Sequence, residues 1–400
     1  MFVLFLIVAA FLVGFGMAFS IGANDVANSM ATAVGARAIT PKQAVFIAAI
    51  LEFLGALLFG AHVTKTIAKG IVDLNLISEP NKILVGAFSA LIAATIWILI
   101  ATYWGMPVST THSIVGGMIG FGLAAGGVGY INWITLLKIV ITWITSPLIG
   151  GALAFVIFKF ISWSILHRKN PVKAAKIVAP LLLGVAFYTI AFLFVVKTIK
   201  KGLLLGNYVG IFIGIIVFLF SLFYLKRLQS RGNEYDLVEK IFRKAQVVTS
   251  CYVSFSHGAN DVANAVGPLA LIYIILTTGN VSGVISIPKY ILALGGIGIS
   301  FGVALLGYRV MKTVGEDITK LNNTRGFSID FATATTVLLA STFGMPISTT
   351  HTVVGAVSGV GFARGIEVVN VGILKNIIIS WFVTVPFAAG VSALIYVLIA

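Results

Sequence analysis

Asp25 and Asp261 occupy two copies of one peptide. Residues 19–28 read Phe-Ser-Ile-Gly-Ala-Asn-Asp-Val-Ala-Asn and residues 255–264 read Phe-Ser-His-Gly-Ala-Asn-Asp-Val-Ala-Asn, nine of ten positions matching across 236 residues. Both copies lie in long apolar runs, and a carboxylate near the centre of a bilayer costs about 2.5–3.5 kcal/mol. Asp25 and Asn28 are three residues apart and share a helical face, as do Asp261 and Asn264. With Asn24 and Asn260, and with backbone carbonyls freed if the chain unwinds after Gly22 and Gly258, they form a set of oxygen ligands. Such a set suits a hard cation such as Na⁺ at Asp25 and at Asp261, or a proton on the carboxylate. The plainer alternative is an Asn-Asp pair that caps a broken helix, and duplication weighs against it.

A second duplicated motif suits the opposite charge. Gly-Met-Pro-Val-Ser-Thr-Thr-His at 105–112 recurs as Gly-Met-Pro-Ile-Ser-Thr-Thr-His at 344–351. Proline disfavours helix just before itself, and Ser or Thr just after it is good N-cap chemistry. Each copy therefore predicts the start of a half-helix. Its positive end would carry free amides and the hydroxyls of Ser109, Thr110 and Thr111, or of Ser348, Thr349 and Thr350. Free amides and hydroxyls at a helix N-terminus make an anion site; ordinary capping at the membrane surface is the plainer alternative. No Arg or Lys lies within either motif. Two ionised aspartates plus an oxyanion would be prohibitive in low dielectric unless cations entered with them, so the residues predict cation-coupled transport of a small oxyanion.

Other polar positions are single. Glu52 aligns with Ile299 of the other half and reads as a third cation ligand, a coupling residue or one partner of an interhelical hydrogen bond. His112 and His351 follow the threonine pairs and could hydrogen-bond the motif; no metal-ligand spacing supports zinc. Asp330 falls near a segment end and reads as interfacial, and Thr32 aligns with Pro268.

The elements that must hold these residues are membrane helices. The 400-residue chain is 59% hydrophobic and 10% charged, against about 25% charged for a soluble domain. The pattern predicts an all-α polytopic protein of about twelve segments: 2–18, 43–63, 83–103, 109–126, 133–158, 179–196, 207–225, 251–275, 288–308, 330–343, 348–363 and 373–398. Five segments repeat, with half-helices at the midplane. Repeat one covers 1–162, an insertion of two segments covers 163–250, and repeat two covers 251–400. Seven segments separate the copies, an odd number, so the second repeat should run inverted, as in many secondary transporters. The charged stretch from Gln229 to Lys244 reads as an amphipathic interfacial helix through Leu237, Val238, Ile241 and Phe242. Of the 27 Lys and Arg, 19 fall on one side, which puts that side in the cytoplasm and both termini outside. The net charge of +15 lies between apolar runs, so it marks topology and not a nucleic-acid partner. Cys251 is alone and reads as a small packed residue.

Two copies of Gly-Ala-Asn-Asp-Val-Ala-Asn, each followed by Gly-Met-Pro-x-Ser-Thr-Thr-His, resemble the inorganic phosphate transporter (PiT) family over both halves of the chain. The resemblance implies symport of inorganic phosphate with Na⁺ or H⁺ in the cytoplasmic membrane, with no enzymatic activity and no resident cofactor. It implies that Asn24, Asp25, Asn260 and Asp261 couple the cation, and that Ser109, Thr110, Thr111, Ser348, Thr349 and Thr350 supply the phosphate hydroxyls. The chain lacks the large soluble loop of animal members and looks like a compact prokaryotic form. Rival readings are a carrier of sulfate or another oxyanion and, in a different class, an intramembrane enzyme with Asp25 and Asp261 as paired acids. A homodimer stays open, because lipid-facing and dimer-facing surfaces both read as apolar.

Overall fold

The computed structural model describes residues 1–77, 79–228, 233–279, 287–312, 321–365 and 371–400. In chain order the helices are α1 (Phe2–Gly35), α2 (Pro41–Phe59), α3 (Ala61–Lys69), α4 (Pro80–Tyr103) and α5 (Thr110–Gly126). Then come α6 (Trp133–Ile161), α7 (Pro171–Leu193), α8 (Leu203–Lys226) and α9 (Glu234–Thr278). The rest are α10 (Lys289–Leu306), α11 (Tyr308–Lys312), α12 (Asn323–Thr342), α13 (Thr349–Arg364) and α14 (Val371–Ile399). Among the described residues, ten helices are long and apolar enough to cross a membrane. Two of the twelve expected segments, α12 and α13, fall outside that set. Serines, threonines and Asp330 make α12 more polar, and α13 has 16 residues; both are almost wholly buried in protein, so lipid does not select their side chains.

The Asn-Asp peptides do not break their helices. Both α1 and α9 run through them without interruption, so the expected unwinding and its freed carbonyls are corrected. The glycines serve close approach instead. A Cβ on Gly22 would overlap the carbonyl of Ile299, and a Cβ on Gly258 would overlap that of Glu52. The breaks come at the other motif. After α4 and α12, Gly105 and Gly344 take φ of +67° and +70°, values that glycine adopts without strain. Pro107 and Pro346 follow, then Ser109 and Ser348 at φ, ψ of −84°, 114° and −85°, 114°. Each serine side chain accepts from the amide three residues on, of His112 or His351, at 3.2 Å.

Equivalent helices exchange partners between the halves: α1 packs on α10, α2 on α9, α5 on α14 and α6 on α13. Further expectations are corrected by this packing. Leu237, Val238, Ile241 and Phe242 are buried in the first turns of α9, where the Phe242 ring meets Phe327 of α12 at 5.3 Å, so their spacing marks a protein-facing stripe and not an interfacial helix; residues 229–232 lie outside the described residues. Asp330 is buried because α12 begins at Asn323 and carries it two turns inward. Residues 313–320 and 366–370 also lie outside the described residues. Phe46, Leu148, Phe212, Phe220, Leu394 and Val397 stand exposed on the outer helices, an apolar surface of the kind a bilayer covers.

Candidate functional site

The two duplicated motifs meet in one buried network. Asn24, Asp25, Asn28, Asn260, Asp261 and Asn264 are each at most 3% exposed, as are Ser109 to Thr111 and Ser348 to Thr350. On the first side Thr110 donates to Asp25 Oδ2 at 2.7 Å, and Asn28 Nδ2 donates to Asp25 Oδ1 at 2.9 Å. On the second, Thr349 donates to Asp261 Oδ2 at 3.0 Å and Asn264 Nδ2 to Asp261 Oδ1 at 3.1 Å. The sides then cross. Asn28 reaches Thr350 Oγ1 at 2.9 Å, and Asn264 reaches Thr111 Oγ1 at 3.2 Å. Thr111 donates to the carbonyl of Ile347 and Thr350 to that of Val108, both at 3.1 Å.

The outer asparagines tie the broken stretches to the long helices. Asn24 donates to Thr102 Oγ1 and to the carbonyl of Met106, both at 3.0 Å, and accepts from the amide of Val108 at 3.2 Å. Asn260 donates to the carbonyl of Ile347 at 2.9 Å and to Asp261 Oδ1 at 2.8 Å, and accepts from Ser341 at 3.3 Å. The beginnings of α5 and α13 therefore converge. The first amides of a helix have no acceptor within it, and the hydroxyls of Thr110, Thr111, Thr349 and Thr350 gather at these two helix starts, an arrangement able to hold an oxyanion. Ser109 and Ser348 act first as caps; each hydroxyl hydrogen can still be donated to a ligand.

One residue of this network had no role in the sequence reading. His257, 1% exposed, has Nε2 2.9 Å from Asp261 Oδ2 and 3.7 Å from Asp25 Oδ2, and Nδ1 3.2 Å from Glu52 Oε2. Its signal was in plain view: position 257 is the single mismatch between the two peptides, opposite Ile21. Glu52 accepts from Ser29 at 3.0 Å, so it joins the cluster through His257 and Ser29. The two asymmetric polar residues are thus partners. The matching pair, Ile21 and Ile299, is apolar and fully buried. An imidazolium at 257 would offset one of three neighbouring carboxylates, a cationic group that counting Arg and Lys did not reveal.

Asp25, His257 and Asp261 each offer one atom, all within 4.8 Å of one another, a spacing able to hold a cation when the imidazole is neutral. The Oδ1 of Asn264 is buried without a donor, a further oxygen suited to a hard cation. The imidazoles of His112 and His351 do not hydrogen-bond the motif hydroxyls, which only their backbone amides reach. Their rings lie 4.5 Å apart and tilted, with Trp143 tilted 3.7 Å from His112 and Trp381 stacked 3.5 Å from His351, and His351 Nδ1 meets the carbonyl of Trp143 at 3.1 Å. Asp330 lies apart from the centre, accepting from Ser250 at 2.6 Å and from Thr32. Thr32 is one turn past Asn28 on α1, so this buried carboxylate borders the network without joining it.

Comparison with known proteins agrees with this arrangement. The profile of the Phosphate transporter family matches residues 21–392. A Pyrococcus horikoshii protein named as a putative phosphate permease is 52% identical over 395 residues, covering 98% of this chain and 97% of its own. "Inorganic phosphate transporter 2-1, chloroplastic" of Arabidopsis thaliana is 43% identical over 418 residues, covering 96% of this chain and 71% of its own. A solved structure described as "The sodium-dependent phosphate transporter" superposes with a TM-score of 0.96 at 57% identity, covering 98% of both chains.

Proposed function

The chain belongs to the Phosphate transporter family, and we propose that it is a secondary symporter carrying inorganic phosphate across the cytoplasmic membrane with Na⁺, both termini outside. One observation carries the reading: Thr110 and Thr349, expected as anion ligands, donate their hydroxyls to Asp25 and Asp261, expected as cation ligands. A cation that binds either carboxylate competes with that hydroxyl. Once displaced, the hydroxyl turns to the oxyanion, alongside Thr111, Thr350, Ser109, Ser348 and the amides that open α5 and α13. Cation first, anion second follows from the wiring. Charge balance runs the same way, since phosphate beside Asp25, Asp261 and Glu52 is tolerable in low dielectric only when cations offset it.

The family and the solved neighbour's description support phosphate over sulfate and Na⁺ over H⁺. The paired-acid enzyme fits less well, because each aspartate is already engaged by a hydroxyl and an amide donor and His257 stands beside both. Rocking of residues 1–162 against 251–400 would have to unpack α1 from α10 and α6 from α13. Bodies that mix the repeats are the better moving parts: α1, α2, α9 and α10 as one, and α5, α6, α13 and α14 as the other. Radiolabelled phosphate uptake into proteoliposomes, with Na⁺ and H⁺ gradients imposed separately, tests the reading. Uptake driven by Na⁺ and not displaced by sulfate is expected; no uptake under either gradient refutes it.

A further inference from the structure

The approaches to the central site differ on the two sides. Trp97 on α4 and Thr336 on α12 hold equivalent places, eight residues before Gly105 and Gly344. The Trp97 indole lies 4.4 Å from the Phe387 ring and donates Nε1 to Thr384 Oγ1 at 3.0 Å. Together with Val108 it seals the stretch that leads into α5. In the other copy Thr336 replaces the indole, Ile149 replaces Phe387 and Ser146 replaces Thr384, counting from Trp143 and Trp381. There a cavity of about 720 Å³ opens between α6 and α12. Ser146 is among its lining residues, 3% exposed, and its buried Oγ has no hydrogen-bond partner. The missing partner is the one that Trp97 supplies to Thr384.

The cavity reaches Met345, Pro346 and Ile347, the peptide that leads into α13. The Ile347 carbonyl accepts from Thr111 and Asn260 on the far side, so one thickness of backbone separates cavity from network. Lys138 is its single charged lining residue, and Phe343 at its rim lies 4.1 Å from Lys197 Nζ, beyond the end of α7. Trp97 belongs to the opposite face. It lies 17 residues along α4 from Pro80, roughly 25 Å at 1.5 Å per residue, and Pro80 shares the face of Lys138 through the pairing of Val72 with Ile131.

We propose that this cavity is the antechamber through which phosphate reaches the helix ends from the Lys138 face, and that Trp97 on Phe387 is the closed gate on the other; the proposal rests on the symport reading. Its mostly apolar walls hold a hydrated anion weakly, so Lys138 attracts the anion and only the converging helix ends retain it. In a Cys251→Ser background, Ser146→Cys should react with a hydrophilic, membrane-impermeant thiol reagent added from the Lys138 face, and phosphate with Na⁺ should slow the reaction several-fold. Thr336→Trp, which copies the Trp97 plug, should lower Na⁺-driven uptake at least tenfold while detergent-solubilised protein keeps its phosphate affinity within about twofold. Reaction of Ser146→Cys with a lipid-soluble maleimide alone would show a lipid-filled groove and overturn the proposal, as would normal uptake by Thr336→Trp. Failure of the unsubstituted protein to move phosphate would instead overturn the symport reading, so the two failures are distinct.

Discussion

Thr110→Val separates cation binding from anion binding by sign. The two side chains are nearly isosteric, and the lost group is the hydroxyl that donates to Asp25 Oδ2 at 2.7 Å. A hydrogen bond to a charged group contributes about 1.5–3 kcal/mol, a factor of roughly 10 to 150 in an equilibrium constant at 1.4 kcal/mol per tenfold. In the cation-free protein that bond stabilises the state that Na⁺ must displace. Its removal therefore tightens Na⁺ binding, by about tenfold at the lower limit. On the proposed reading the same hydroxyl donates to phosphate once Na⁺ is saturating, so its loss should weaken phosphate by about the same factor or more. Titration calorimetry on purified protein reads both, with Na⁺ titrated first against a choline background and phosphate afterwards in saturating Na⁺. Thr349→Val should repeat the pattern through Asp261, and Thr110→Ser should restore it. Weakening of both ligands would make Thr110 a direct cation ligand, and no change in either would remove it from the site; each result refutes the displacement argument.

Asp25→Asn and Asp261→Asn should each abolish gradient-driven phosphate uptake in proteoliposomes, and full activity in both variants would refute the cation assignment. His257→Ile should destabilise the protein by about 1–3 kcal/mol, because the buried Glu52 carboxylate loses the imidazole 3.2 Å from its Oε2 and is left without that polar partner. Adding Glu52→Ile copies the apolar Ile21–Ile299 pair and should recover the melting temperature but not coupled uptake, and no recovery would show that the two residues are not partners. Gly258→Ala forces a Cβ against the Glu52 carbonyl and should cost about 1–3 kcal/mol by overpacking. Gly390→Ala, where a Cβ meets nothing within 4 Å, should leave thermal unfolding unchanged, and equal effects at both positions would argue against close approach.

The breaks before α5 and α13 were legible because their chemistry is local. A glycine at positive φ, a proline and a capping serine are adjacent residues, and no distant contact is needed to specify them. The intact course of α1 and α9 was not legible, since a glycine beside Asn-Asp reads the same whether it loosens a helix or admits a neighbour's carbonyl. Only the position of Ile299 or Glu52 decides between the two. The stripe at Leu237, Val238, Ile241 and Phe242 likewise reports that one face is covered without saying whether lipid or α12 covers it. Asp330 was misplaced because its helix starts seven residues earlier, at Asn323, among polar residues that carry no hydropathy signal.

What escaped the sequence reading at the site is what the repeat does not duplicate. Residues present in both copies, from Asn24 and Asp25 to the paired Ser-Thr-Thr ends, build ligand chemistry that is nearly equivalent from either side. In a strictly two-fold protein, states open to opposite faces would have equal energy apart from the membrane potential, and no side chain would favour one over the other. Departures at polar or approach-lining positions include His257 against Ile21, Glu52 against Ile299, Ser29 against Ala265, Thr32 against Pro268, Asp330 against Leu91, and Thr336 against Trp97. The structure pairs them in space, His257 with Glu52 and Thr32 with Asp330, while Thr336 and Trp97 distinguish an open approach from a sealed one. A mismatch between the two copies is therefore where directionality can reside, and substitutions that restore symmetry at those positions should act on the balance between the two facing states before they act on the shared ligands.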